Sequence, residues 1–544
     1  MSRPRSRSGG SAAAEPAARI APRPDPLPRI ESFLERHARW IALALVLIAT
    51  ARIIATYPVL SYTFDEPAHI AAGMEWLEKH GYTYEPQHPP LARVFTAILP
   101  RIAGFHGTGT SGIFNEGLAI LGQGMDRVLT LARAGMLPFF WLTCWVVFSF
   151  TRWISGRRPA ALLALALTTV TPSVLAHAGL ATTDMALTAC LLAAVYAGWR
   201  WIHQPSLAAA ALAGLSLGAA ILAKFSTLAF FPCIALIALA GMLYAKRFSF
   251  GVHFAQLGLA AAIVAAMIWS AYWFSFEPLW KGIEEVRNHD RQGHLTYLMG
   301  AANTVGWPSF YVIALAVKTP LPLLLLGVPG LLWMCRRGEI GSRTWILPAT
   351  AGGILFFASF LTQIKIGTRH VLPVYVVLAI AAAILTSEIL RRFPRRRAIE
   401  LPLGALGAWM LLSSALAHPD YIGYFNFFAG SRPEAYLVDS DLDWSQDVKR
   451  LARRLKEVGA QEVYFHQYAP GDLARLFGFP PIRPLDLNGP HPGWNAVSVT
   501  PMKYGLFGDT RYVYDPGTEF WPDRMQPTER IGSGILLFYV PARR

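Results

Sequence analysis

Charge is scarce in this chain of 544 residues: Asp, Glu, Lys and Arg make up 15% of it, against about a quarter in soluble proteins. That shortage excludes a purely soluble globular fold, because 53% hydrophobic residues cannot be buried behind so thin a charged surface. Acidic side chains are scarcer than basic ones, 34 against 49, which leaves a net charge of +15. The Lys and Arg residues nevertheless sit in short clusters between apolar runs, and no nucleic-acid-binding motif is present. A groove that tracks phosphates along a nucleic acid is therefore excluded. Cysteine is scarcer still, at four residues. Cys144, Cys190, Cys233 and Cys335 lie within or at the end of apolar runs and form no CxxC pair. This excludes a disulfide framework and a zinc–thiolate centre. No internal repeat of fixed period is visible.

Apolar runs of the length that crosses a ~30 Å hydrocarbon layer as helix fill the remainder. Eleven spans are predicted, at about 40–60, 131–151, 159–177, 184–202, 206–223, 227–245, 253–274, 309–334, 345–362, 371–388 and 401–417. The first is too long for a signal-peptide core and has no small-residue cleavage site after it, so it reads as an anchor. Residues 1–29, rich in Arg, Pro, Ala and Ser, read as disordered, and residues 1–39 together as a cytoplasmic tail. With the N-terminus inside, every inner segment is basic: Arg152, Arg157 and Arg158; Arg200; Lys246 and Arg247; Arg336, Arg337 and Arg343; and the run from Arg391 to Arg397. That alternation satisfies the positive-inside rule. It makes residues 40–417 a transmembrane domain of the inner membrane and places 418–544 outside, in the periplasm or extracellular space.

Two outer segments are large. In the first, 61–130, Ile70, Met74 and Leu77 share one helical stripe and Leu91, Phe95, Ile98 and Ile102 another, the pattern of helices lying on a membrane surface. The second, 418–544, reads as a small α/β domain with a helix at about Trp444–Val458 and strands at 462–465 and 535–540.

The remaining ionisable residues gather at the outer face. Asp65 and Glu66 follow the first span; His88 opens a His-Pro-Pro-Leu-Ala run; Asp184 ends a Thr-Thr-Asp at the start of the fourth span. Lys224 ends the fifth, and Lys365, Arg369 and His370 fill the loop before the tenth. These cations lie where the positive-inside rule expects few, and Arg369 abuts a helix start whose dipole repels it. An anion, phosphate above all, resolves both conflicts. Simpler roles stay open: Lys and Arg as headgroup anchors, Asp65 and Asp184 as helix N-caps, His88 as a helix start. Glu277, His289 and His294 leave a divalent metal open as a cofactor, although their spacing is not distinctive.

Asp65-Glu66, HPPLA at 88–92, TTD at 182–184 and GTRHVLPVY at 367–375 together resemble the dolichyl-phosphate-mannose protein mannosyltransferase superfamily, over about residues 40–390. Its bacterial branch includes the lipid A aminoarabinose transferases, which favour an acidic–Lys pair where this chain has Gln87-His88. The resemblance implies an α-helical polytopic fold of type GT-C and a glycosyltransferase that takes a polyprenyl-phosphate sugar as donor. It implies Asp65 as general base, with Glu66 beside it and Asp184 assisting. Arg369, His370, Lys365, Lys224 and His88 would lie around the donor phosphate. Tyr375, within the fourth motif, and Asp443 and Trp444, in the tail run DSDLDWSQD, are candidate contacts to the sugar or acceptor. A capped, solvated helix start also accounts for the tail run. The acceptor, protein or glycolipid, is left open. A transporter of lipid-linked intermediates and a non-catalytic protein of the same fold are the rival readings.

Overall fold

In a computed structural model of the protein, the described residues are 29–247, 253–336, 338–466, 468–485, 489–507, 510–511 and 520–542. Residues 1–28, most of the segment expected to be disordered, lie outside them. The first helix, Arg29–Ile54, starts eleven residues before the expected span, so residues 29–39 are helical rather than part of a disordered tail. Among the described residues, eight helices are long and apolar enough to cross a membrane. Arg158–Thr169 and Pro172–Ala178 pass the same test as a pair, bent by 68° at the break between them. The bend falls at Pro172, which has no N–H to give the preceding turn.

Two of the eleven expected spans come out shorter. Leu207–Ala223 has 17 residues, about 26 Å at ~1.5 Å per residue. The run 309–334 is divided into Phe310–Lys318 and Leu321–Met334. Pro320 and Pro322 cause that division, since neither can continue a helical ladder. Leu372–Arg392 forms the bundle's centre, buried almost throughout its first two-thirds. Phe254–Ala271 and Arg397–Leu416 lie at the periphery with apolar faces outward.

The expected basic inner segments meet at one end of the bundle. Arg157 contacts Glu31, the Arg158 backbone N–H donates to Glu35 at 3.0 Å, and Trp199 Nε1 donates to the Arg343 carbonyl at 3.1 Å. At the opposite end lie helices Glu66–Lys79, Pro90–Ile102 and Ile113–Gly122. Pro90–Ile102 buries Arg93, Thr96 and Ala97, while Leu91 and Phe95 are half-buried against the core, Phe95 with its ring 4.8 Å from that of Phe139, and Ile102 is exposed.

Glu66 fastens this end together. Its carboxylate receives Arg133 Nε and Nη2, both at 2.8 Å, and the backbone N–H groups of Thr63 and Ala181, each at 2.8 Å. Both side chains are fully buried. Arg133 also donates to the Leu60 and Ser61 carbonyls, so the segments around Leu60, Arg133 and Ala181 are tied to one ion pair.

The tail carries strands β3 (Val463–His466), β4 (Ile482–Arg483), β5 (Gly493–Ser498), β8 (Glu529–Ile531) and β9 (Ile535–Val540), in the order β4-β3-β5-β9-β8. Two short hairpins, β1 (Thr296–Leu298) with β2 (Ala301–Asn303) and β6 (Leu506–Phe507) with β7 (Thr510–Arg511), lie outside the sheet. The β3–β5 pairing is parallel and β5–β9 antiparallel, as an α/β tail requires. The expected helix is shorter, Val448–Glu457, because the run before it is not a solvated cap. Asp439, Asp441, Asp443 and Asp447 are all buried. Asp443 accepts the Thr500 N–H at 3.1 Å, and Asp447 accepts those of Ser533 and Gly534, both at 3.0 Å. Gly532, at φ +57°, would place a Cβ 2.1 Å from the Asp447 carboxylate, so only glycine fits there.

Two outcomes follow. Arg133→Ala leaves the Glu66 carboxylate buried without its partner and is expected to cost about 3–5 kcal/mol, read as a lowered unfolding midpoint in detergent. Burial lifts the Asp443 carboxyl to about 7 and that of Asp447 to about 6. The folded tail then holds more protons than the unfolded chain from about pH 4 upward, so its stability falls as pH rises through that window to about 7. Amide exchange at Ser533 and Gly534, corrected for intrinsic rates, should show greater protection at pH 5 than at pH 8.

Candidate active site

The helix ends opposite the basic segments enclose a cavity of about 1360 Å³. Asp65 reaches it from the segment after the first span, Thr183 from the start of Asp184–His203, Lys224 from the end of Leu207–Ala223, and Arg369 and His370 from the turn before Leu372–Arg392. Four helix ends that alternate along the sequence thus converge.

Asp65 precedes the helix Glu66–Lys79, but its side chain makes no capping bond. It turns instead to Arg369, whose Nη1 donates to Asp65 Oδ2 at 2.7 Å. The same nitrogen lies 3.8 Å from Asp184 Oδ2. Asp184 does not cap either: its Oδ1 takes Lys224 Nζ at 2.6 Å. Two carboxylates and two cations therefore alternate in an array, with Asp65, Arg369 and Lys224 lining the cavity and Asp184 buried behind them. The Arg369 guanidinium lies flat on the Trp444 ring, 4.1 Å from its centroid. Stacking and ion pairing together hold a planar cation in one orientation. Burial works to raise the Asp65 carboxyl, but Arg369 and the neighbouring His69 hold it below the usual carboxylate range. Asp65 is thus ionised at neutral pH, and Oδ1 is left to accept a proton.

Imidazoles line the wall beside Asp65. Arg93 Nε donates to His69 Nδ1 at 3.1 Å, which fixes the proton on Nε2. Burial first, then Arg93, hold His69 down to about 3, so it stays neutral. His88 meets the His69 ring edge-on at 5.4 Å and is likewise held neutral by burial. Arg287 and Arg291, one helical turn apart on Glu277–Gln292, add exposed cations at the mouth.

Other candidates stand elsewhere. Glu66 belongs to the buried Arg133 clamp and does not line the cavity. Lys365 is buried and donates to the Thr362 and Val305 carbonyls at 2.5 and 3.3 Å. Tyr375 is wholly buried within its helix and Asp443 within the tail. Glu277 pairs with Lys281 at 2.7 Å, at the far end of the helix that carries His289, and His289 and His294 lie with ring centroids 5.8 Å apart. Among the described residues no three His, Cys, Asp or Glu side chains gather as metal ligands.

The tail supplies a wall of which the sequence had pointed only to Trp444. Asp439, Trp444, Tyr468 and Tyr504 all line the cavity. The loop that carries Asp439 and Trp444 also orders the Arg369 turn. Asp441 accepts Thr368 Oγ1 at 2.6 Å and the Thr368 N–H at 3.1 Å, and Ser440 donates to the Ile366 carbonyl at 2.8 Å. Arg287 and Arg291 had a sequence signal in their i, i+4 spacing beside a cation-rich face. Tyr468 and Tyr504 had none, since neither stands in a pattern distinct from the surrounding strands.

Residues 42–278, less than half of the chain, match the family model described as dolichyl-phosphate-mannose-protein mannosyltransferase. No curated protein sequence matches significantly. The apo structure of ArnT from Cupriavidus metallidurans aligns with a TM-score of 0.51 at 14% identity, over 92% of this chain and 98% of that one. The same protein bound to undecaprenyl phosphate gives 0.48 at 13% identity, over 91% and 97%. An apo oligosaccharyltransferase from Archaeoglobus fulgidus gives 0.40 at 18% identity, over 72% and 56%. The chain is thus a multi-pass helical membrane protein with the GT-C fold, and its residues 42–278 carry the sequence pattern of the dolichyl-phosphate-mannose-protein mannosyltransferase family.

Proposed function

We propose that this protein is a glycosyltransferase that moves a sugar from a polyprenyl-phosphate donor to an acceptor hydroxyl at the outer face of the membrane. The observation that carries this reading is the array of Asp65, Arg369, Asp184 and Lys224 at one end of the bundle, three of them lining a cavity and Asp184 buried behind them. The matched family is named for a lipid-phosphate sugar donor, and the charges suit one. Asp65 and Asp184 balance Arg369 and Lys224, so a phosphate entering the cavity meets additional donors and cations in His370, Arg287 and Arg291. The basic inner segments lie at the opposite end, which supports an outward-facing cavity.

The reaction is a single displacement. The acceptor oxygen attacks the anomeric carbon, and Asp65 takes its proton. The bond from that carbon to the phosphate oxygen breaks, with both electrons leaving on the phosphate. Because the phosphate departs as an anion, no general acid is needed, and configuration at the sugar inverts. Arg369 has two tasks: it keeps Asp65 ionised and oriented, and it offers positive potential where negative charge grows. Asp184 holds Arg369 and Lys224 in place.

The test is turnover of radiolabelled polyprenyl-phosphate sugars by the purified protein in nanodiscs, beside Asp65→Asn. Wild type should release label from the lipid, and the variant should lose about 100-fold or more of that rate. If no sugar leaves any donor that binds, the transferase reading falls; if Asp65→Asn is fully active, the assignment of the base falls. A second outcome concerns pH. Because Arg369 depresses Asp65, the acid limb of kcat/KM should lie below about pH 4, the ordinary carboxylate range, rather than near neutrality. A limb at pH 6–7 would point to a different base.

A further inference from the structure

The cavity has two chemically different walls. The wall built by the membrane bundle carries all of its Lys and Arg side chains, Lys224, Arg287, Arg291 and Arg369, together with the imidazoles of His88 and His370 and the carboxylates of Asp65, Glu85 and Asp290. The wall built by the tail carries Asp439, Trp444, Tyr468 and Tyr504, with no cation among them. The Trp444 ring is already covered by Arg369, which leaves the carboxylate and the two phenols to meet a ligand.

Their hydrogen bonds fix what they can recognise. Tyr468 and Tyr504 each place the hydroxyl oxygen 3.2 Å from Asp439 Oδ2. Asp439 Oδ2 accepts both bonds, so both phenol protons point at it and both phenol oxygens present lone pairs outward. Asp439 Oδ1 receives the Ser440 N–H at 2.6 Å and has room for one more donor. Burial and the Asp439 charge keep both phenols protonated, so the cluster remains an accepting surface at working pH. A phosphate has no proton to donate to it and is repelled by Asp439, whereas sugar hydroxyls donate.

Placement and rigidity point the same way. Asp439 sits in left-handed backbone at φ +57°, held there by its own N–H donating to Thr500 Oγ1 at 2.8 Å. Strained backbone of this kind persists where surrounding bonds over-determine it. Tyr468 stacks on Phe64, with centroids 5.3 Å apart, next to the proton-accepting Asp65. We infer that Asp439, Tyr468 and Tyr504 form a subsite, supplied by the tail, that reads the hydroxyls of a sugar beside Asp65 while the bundle wall holds the phosphate. This rests on the transferase reading and extends it: the tail sets sugar specificity. The ring concerned belongs either to the donor or to a carbohydrate acceptor.

The experiment compares wild type with Asp439→Asn, Tyr468→Phe and Tyr504→Phe, in the full chain in nanodiscs. Affinity is measured for a polyprenyl-phosphate hexose and for bare polyprenyl phosphate, together with KM and kcat for a methyl glycoside as acceptor. If the subsite reads the donor ring, each variant weakens the hexose lipid about tenfold, as loss of one or two hydrogen bonds requires, and leaves the bare lipid unchanged. If it reads the acceptor, both lipids bind as before while KM for the methyl glycoside rises about tenfold at nearly constant kcat. Equal hexose-lipid affinity and equal KM in all four proteins overturns the inference, as does a parallel loss for bare lipid. A wild type that turns nothing over, yet prefers the hexose lipid until the variants abolish that preference, sinks the transferase reading and keeps the subsite. A wild type with neither turnover nor preference sinks both. Asn tolerates left-handed backbone and Phe keeps the phenol volume. Unfolding midpoints matched to wild type separate lost recognition from lost structure; a binding change seen only in variants with lowered midpoints overturns the inference.

Discussion

The Arg369 guanidinium is the point on which the cavity end of this protein turns. It bonds Asp65 from the segment after the first span, faces Asp184 at the start of a span in mid-sequence, and lies on Trp444 from the tail. A single buried cation in a low-dielectric setting would be costly. Here two carboxylates compensate it and an aromatic face supports it, and Lys224 balances the second carboxylate. The arrangement makes three distant parts of the chain necessary to one another. Remove any one, and a buried charge is left without its partner.

That constraint explains why the tail is bonded to the bundle as closely as it is. The backbone of 61–64 pairs with that of 444–446, through Ser61 N–H to Gln446 and Phe64 N–H to Trp444 at 3.0 and 3.1 Å. Lys318, buried, donates to the carbonyls of Ile422 and Asp441, both at 2.6 Å. Asn426 bonds the carbonyls of Ala316 and Thr319 where Pro320 interrupts the helical run. These bonds satisfy backbone groups that an interrupted span would otherwise leave bare in an apolar setting. The tail is thereby a structural part of the site, and its loop 439–447 both orders the Arg369 turn and faces the cavity.

A second clamp, Glu66 with Arg133, shows how adjacent residues of like chemistry part company. Asp65 and Glu66 are neighbours, yet one faces the cavity and the other is enclosed by four donors from three segments. One carboxylate keeps an exposed edge and a free oxygen; the other has spent its accepting capacity on structure. Consecutive residues at a helix start point in directions about 100° apart, which is enough to send them to different tasks.

By itself the sequence determined that this is a membrane protein, where its helices fall, which end is basic, and which residues lie at the opposite end. Each of these depends on local composition or on period, and the hydrocarbon layer enforces both over lengths of about twenty residues. It also brought forward Asp65, Asp184, Lys224, Arg369 and His370, because charge near an apolar run is costly enough to stand out. Only the tertiary structure decided that Asp65 pairs with Arg369 instead of capping its helix, that Glu66 and Lys365 serve the scaffold, and that the aspartates of 439–447 are buried. Only the fold could bring Asp439, Tyr468 and Tyr504 to the cavity. A capping aspartate and one that pairs across the fold look alike in sequence. Which of the two an aspartate becomes is set by a partner some three hundred residues away, and no local pattern carries that information.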